Sequence, residues 1–191
     1  MTTPPTLMPA GQAAGAVLRS LPVTIGLMAR RRIRLPRDNV GLRIRFADGT
    51  EAPVFRETVI TRPPPPEPCI LVVAFELRVV RGRGHALFRR ESLLNTVLFA
   101  GFPGLVSKLW LADDEQGRYR GLYEWDGAAS AEAYARALWR VLALVSRPDS
   151  IGYHLVPGLD RLALFDGCRR EDRAEHQSGW WLPTQVDPPA R

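Results

Sequence analysis

Lysine is all but missing from this chain: of its 26 lysines and arginines, Lys108 is the only lysine. A coding bias toward arginine accounts for the exchange over most of a solvated surface. Ammonium and guanidinium differ in pKa and geometry, however. The one ammonium kept in that background is therefore a candidate for chemistry that a guanidinium does not supply, with retention by chance as the plain alternative. Cysteine is scarce too. Cys69 and Cys168 match no zinc spacing and no disulfide framework, which excludes metal clusters and small secreted scaffolds. No apolar run reaches the ~20 residues of a membrane span; residues 13–28 come nearest, and Arg19 and Pro22 interrupt them. The positive charges of Arg30-Arg31-Arg32 follow that run, whereas a signal peptide carries its charges in front. A cytoplasmic protein without a transmembrane span is expected. A dinucleotide-type glycine loop is also missing, since Gly82-Arg83-Gly84 is too short for one.

What is present is ordinary globular material. The 191 residues are 46% hydrophobic and 24% charged, with a net charge of +6, enough for one domain with an extension. Residues 1–68 read as that extension. Its helix over 13–28 is followed by a β-hairpin, in which Leu42-Arg43-Ile44-Arg45-Phe46 alternates, Asp48-Gly49 turns, and Val54 to Ile60 returns. The run Pro63-Pro64-Pro65-Pro66-Glu67-Pro68 is a stiff spacer. The arginines of residues 30–45 leave open a weak surface association with anionic membrane. They lack the interleaved aromatics or helix-turn-helix pattern of a nucleic-acid binder, so no nucleic acid is expected as a partner and a solvated strand face is the simpler reading.

Residues 69–166 read as the main domain. Residues 70–77 form a nearly continuous apolar run, the mark of a strand covered on both faces. A helix is predicted over 85–100, with Gly101 as its C-terminal cap. Strands follow at 105–112 and 119–125. Leu105, Leu109 and Leu111 are expected on one face of the first of these, with Lys108 and Trp110 on the other. Ser130 is placed to N-cap a second helix whose stripe is Tyr134, Ala137, Leu138, Val141, Leu142 and Val145. A strand over 151–156 completes a β-α-β-β-α-β order, the ferredoxin-like plan of an α+β fold. Residues 167–191 read as a mobile tail, with Trp180-Trp181 docking somewhere on the body.

Two helices cover one face of a four-stranded sheet. Leaving the other face wet costs many kcal/mol at roughly 25 cal/mol per Å². A homodimer, sheet against sheet, is the least demanding cover, and the hairpin folding over its own sheet is the rival.

Candidate site residues follow from the same registers. Lys108 suits an anchor for an anionic, enolate-like substrate or, if burial lowers its pKa, a base, with Trp110 as a pocket wall. The plainer alternative pairs Lys108 with Glu124 or Glu76. Tyr123, sharing a face with Trp125, is placed to polarise a carbonyl or stabilise a phenolate. His85 and His154 are acid–base candidates; Glu91 lies on the apolar stripe of the 85–100 helix as a further base, with Asn95 one turn on. Haem ligation by His85 or His154 has no spacing to support it.

The segments Gly104-Leu105-Val106-Ser107-Lys108-Leu109-Trp110, Gly121-Leu122-Tyr123-Glu124-Trp125 and Ala133-Tyr134 resemble the YdhR-like monooxygenases. These belong to the dimeric α+β-barrel superfamily, which includes the antibiotic biosynthesis monooxygenases. The resemblance covers residues 69–157. It implies a homodimeric barrel with a small apolar pocket between sheet and helices, and kin that are cofactor-free oxygenases, haem-degrading enzymes, lactone isomerases and dehydratases of secondary metabolism. On that basis Lys108, Tyr123, His85, His154 and Glu91 are catalytic candidates, and Trp110, Trp125, Asn95 and Tyr134 substrate-binding candidates. The substrate expected is a small apolar, enolisable or phenolic metabolite, and neither cofactor nor metal is called for. A non-catalytic barrel holding a hydrophobic ligand or partner is the alternative.

Overall fold

In a computed structural model of the chain, residues 8–78, 99–169 and 179–189 are described below. Helix α1 (Ala10–Ala29) leads into the short β1 (Ile33–Arg34), then β2 (Arg43–Phe46) and β3 (Glu51–Ile60). After the prolines come β4 (Pro68–Glu76), β5 (Leu105–Leu111) and β6 (Arg118–Asp126), then helix α2 (Ala128–Val145) and β7 (Gly152–Pro157). A short helix α3 (Arg161–Arg169) and β8 (Pro183–Asp187) follow. The predicted 85–100 helix falls almost wholly outside the described residues, and His85, Glu91 and Asn95 with it.

The strands join in the order β7-β4-β6-β5-β3-β2-β8, with β1 on the far end of β3, and every pair is antiparallel. The four strands of the main unit thus stand in the ferredoxin-like arrangement, the first and third in the centre. Their composition explains the placement. Ile70, Leu71, Val72, Val73 and Ala74 of β4 are all buried, so this strand has apolar side chains for two cores and sits between them.

One core lies under the helices. Leu71 and Val73 of β4 and Tyr123 and Trp125 of β6 pack on Ala131, Tyr134, Ala135, Leu138 and Leu142 of α2, with Val17 and Leu27 of α1 at the margin. The helix starts three residues earlier than expected, capped at Gly127 instead of Ser130. Its stripe is correspondingly shifted: Ala131 and Ala135 are buried, while Val145 is about half exposed. Gly101 likewise does something other than cap in a left-handed conformation. A Cβ there would lie 2.1 Å from the carbonyl oxygen of Ser20, so its missing side chain lets the chain pass directly against α1.

The second core decides the question of cover. Ile70, Val72, Leu109, Leu111 and Leu122 face away from α2, and onto them fold Ile44 and Phe46 of β2, Ala52 and Val54 of β3, and Leu164 of α3. Trp180, Trp181 and Val186 pack around this cluster. The face for which a twin was expected is therefore covered by the chain's own hairpin and C-terminal residues. Two expectations are corrected with it. The hairpin is no appendage, since β3 pairs with β5 from Val54 to Val59. The stretch read as a mobile tail is, over 179–189, tied in by β8, whose Val186 pairs with Ile44.

Arg120 fastens this arrangement. Its guanidinium, fully buried, donates to Asp114 and to Asp48 at 2.6 Å each and to the Trp180 carbonyl at 3.2 Å. One side chain on β6 thereby links the β5–β6 turn, the β2–β3 turn and the C-terminal segment.

Candidate functional site

On the face of the sheet toward α2, the registers set out two adjacent rows. Thr58 of β3, Lys108 of β5, Tyr123 of β6 and Leu71 of β4 form one; Arg56, Trp110, Gly121 and Val73 form the other. Two bulges make the rows possible. An extra residue at Val106 changes the phase of β5, and another at Phe55 changes that of β3. As a consequence Leu105 packs in the helix-side core, not with Leu109 and Leu111 as the simple alternation suggests.

Over these rows, between sheet and α2, lies a narrow, partly open cleft with a volume of about 30 Å³. Phe55, Phe75, Phe99, Leu138 and Leu142 give it apolar walls, and Lys108, Trp110 and Tyr123 its floor. A neighbouring hollow of about 10 Å³ shares those three residues and adds Thr58 and Tyr134. Gly121 keeps the floor open: a Cβ there would stand 2.7 Å from the Tyr123 ring.

The Lys108 amine is the chemical centre. Its Nζ lies 3.0 Å from the centroid of the Trp110 ring and 4.5 Å from that of Tyr123. Among the described residues no carboxylate pairs with it. The pairing with Glu124 or Glu76 does not form: Glu124 accepts from the Ser107 hydroxyl at 3.0 Å, on the other face of β5, and Glu76 meets Arg118 and Arg147, each at 3.5 Å. Burial holds the Lys108 amine well below the ordinary lysine value, and the Arg56 cation nearby lowers it further. Arg56 stands 4.0 Å over the same Trp110 ring, and burial brings its own pKa down to about 10. The indole is fixed in turn by its N–H, which donates to the Thr58 hydroxyl at 3.1 Å.

The phenols behave oppositely. Burial raises the Tyr123 hydroxyl above its usual value, partly offset by a hydrogen bond with Tyr134, and burial next to Tyr123 raises Tyr134 as well. Both stay protonated at neutral pH and are able to donate. Their rings stand 5.3 Å apart.

Of the nine candidates, then, Lys108, Trp110, Tyr123 and Tyr134 come together. Trp125 is fully buried beside Tyr134, 4.8 Å between ring centroids, and is core, not wall. His154 is corrected: it pairs with Val72, faces the second core and lies flat on Trp181, ring centroids 3.7 Å apart, with burial lowering its pKa. The strand that carries it has the wrong parity for the cleft. Arg56 and Thr58 are the residues missed. Their signal was weak, because only a β3–β5 pairing brings them beside Lys108, and periodicity within β3 does not show its neighbour.

No protein-family model matches the sequence, and no curated protein does. Two solved structures resemble part of it. An uncharacterised ferredoxin-fold protein related to antibiotic biosynthesis monooxygenases, from Listeria monocytogenes, is 11% identical, with a TM-score of 0.43 over 59% of this chain and 66% of its own. A monooxygenase-like protein from Listeria innocua is 12% identical, with a TM-score of 0.42 over 59% of this chain and 67% of its own. The chain spans less than two thirds of the length of the first. The fold stands on the strand order of this chain itself.

Proposed function

We propose that the cleft is the site of a small-molecule enzyme that works without a cofactor, on an apolar, enolisable or phenolic metabolite. What carries this reading is the Lys108 amine, set in an aromatic-floored cleft with no carboxylate beside it among the described residues. An amine kept short of its proton by burial takes one from an acidic C–H or O–H of the substrate. The ammonium so formed stays next to the enolate or phenolate, and the low-dielectric walls strengthen that attraction. The Tyr123 hydroxyl, which accepts from Tyr134, supplies a hydrogen bond to the developing oxyanion. Isomerisation or cyclisation follows from such an anion directly; oxygenation follows if the anion gives an electron to O₂.

The test is calorimetric titration with a panel of phenols and enolisable 1,3-dicarbonyl compounds, followed by turnover of any that bind. Lys108→Met is expected to weaken binding of the anion-forming members by at least about tenfold, or ~1.4 kcal/mol. Tyr123→Phe is expected to lower turnover by about 100-fold, as removal of one oxyanion donor does, with a smaller change in affinity. Equal binding by wild type and Lys108→Met removes the role given to the amine. Binding without turnover of any member favours a ligand-holding barrel instead.

A further inference from the structure

We propose that Lys108 also captures carbonyl compounds covalently, its Nζ forming a Schiff base with an apolar aldehyde or ketone that enters the cleft. The inference rests on the reading of that cleft as a small-molecule site and goes beyond proton transfer.

The geometry supports it at three points. The amine is directed at the cleft from the middle of β5, between the Trp110 and Tyr123 rings. No carboxylate or other acceptor among the described residues holds its hydrogens, so its lone pair is not committed to a salt bridge as a protonated surface lysine's is. A second cation, Arg56, shares the Trp110 ring with it. Attraction to a desolvated aromatic face favours the ammonium. Loss of hydration costs an ion several kcal/mol, and Arg56 adds repulsion. Both effects favour the uncharged, nucleophilic amine. A lysine in an apolar pocket beside another cation is a known way to make that nucleophile.

The step balances without an outside oxidant or reductant. The nitrogen lone pair forms a C–N bond as the carbonyl π pair moves to oxygen, and one N–H proton passes to that oxygen to give a carbinolamine. The second N–H proton then leaves with the hydroxyl group as water, and the C=N bond forms. Tyr123 and Tyr134, protonated and beside the amine, are placed to relay these protons. The imine, once it takes a proton from the medium, withdraws electrons from the neighbouring carbon better than a ketone does, so capture prepares the loss of an α-proton.

Having a single lysine makes the test unusually clean. The full-length protein is incubated with benzaldehyde at pH 7 and reduced with sodium borohydride, once folded and once in guanidinium chloride. Peptide mapping then separates label on Lys108 from label on the terminal amine. Each unit by which the amine's pKa is lowered raises its free-base fraction about tenfold at neutral pH, and folded Lys108 is expected to label at least tenfold faster than unfolded Lys108. Slower labelling in the folded protein, or label on the terminal amine alone, overturns the proposal. The failures separate as follows. Retained binding of phenols or enols with no trapping rejects the Schiff base alone. Trapping without such binding supports the Schiff base and removes the anion-binding role.

Discussion

Lys108 is costly to the fold as well as useful to the cleft. Its pKa in the folded chain is held far below the ordinary value of 10.5 by burial and by Arg56, so folding and protonation oppose each other. Between the folded and unfolded values the unfolded chain holds a proton that the folded chain has given up. Raising pH through that window therefore favours the folded state; the stability is fully present above 10.5 and is lost as pH falls through the folded value. Lys108→Met removes this dependence. The variant is expected to melt at a higher temperature than wild type at pH 7, with the gap closing as pH approaches 10. Thermal melts across that range check it, and a gap that stays constant with pH shows that the amine is solvated. The indole beneath it is a matter of packing: Trp110→Ala is expected to cost about 3–5 kcal/mol, in the range of buried aromatic truncations, measured by urea denaturation.

At the scale of elements, the Arg120 cluster is where β6, two turns and the C-terminal segment are joined. Arg120 and Asp114 are both fully buried, and Asp48 is the other acid on the guanidinium. Removing one partner of a buried ion pair costs about 3–5 kcal/mol, and Asp114→Ala is expected near the low end because Asp48 still pairs. A urea midpoint lowered by less than 1 kcal/mol equivalent, on the order of an exposed pair, would show that water reaches the cluster. These long-range ties are also what the sequence hides. The apolar run of β4 and the alternation of β6 are local, and both strands were legible, as were β5, α2 and β7 in their chain order. Lys108 and Trp110 were legible as neighbours because alternation puts them on one side of β5, and the short β5–β6 hairpin brings Tyr123 opposite Lys108. The pairing of β3 with β5 was not, since the prolines of residues 63–68 read as a boundary and no local period names a distant partner. The bulge at Val106 hid the phase of Leu105, and Arg56 was hidden with β3.

For the whole molecule, the second core covers the sheet face on which a twin was expected. An exposed sheet carrying Ile70, Val72, Leu109, Leu111 and Leu122 would drive association, at roughly 25 cal/mol for each Å² hidden. Here each of those five side chains is almost wholly shielded by β2, β3, α3 and the residues around β8. The chain is thus expected to run as a 21.3 kDa monomer in light scattering at micromolar concentration. Twice that mass would direct attention to α1, where Leu18 and Ile25, seven residues apart on one helical face, are 65% and 61% exposed. The cover itself is testable. Phe46, 1% exposed, lies in the second core beneath the Arg120 guanidinium, 4.4 Å from ring centroid to cation. Phe46→Asp sets a carboxylate against that core and lifts the hairpin from the sheet, since a buried charge with imperfect pairing is expelled to water. The uncovered leucines and valines then seek another surface, and the variant is expected to form dimers or larger species where the wild type is monomeric. Continued monomeric behaviour with a native far-ultraviolet spectrum would mean that the hairpin is not what keeps this face from a second copy.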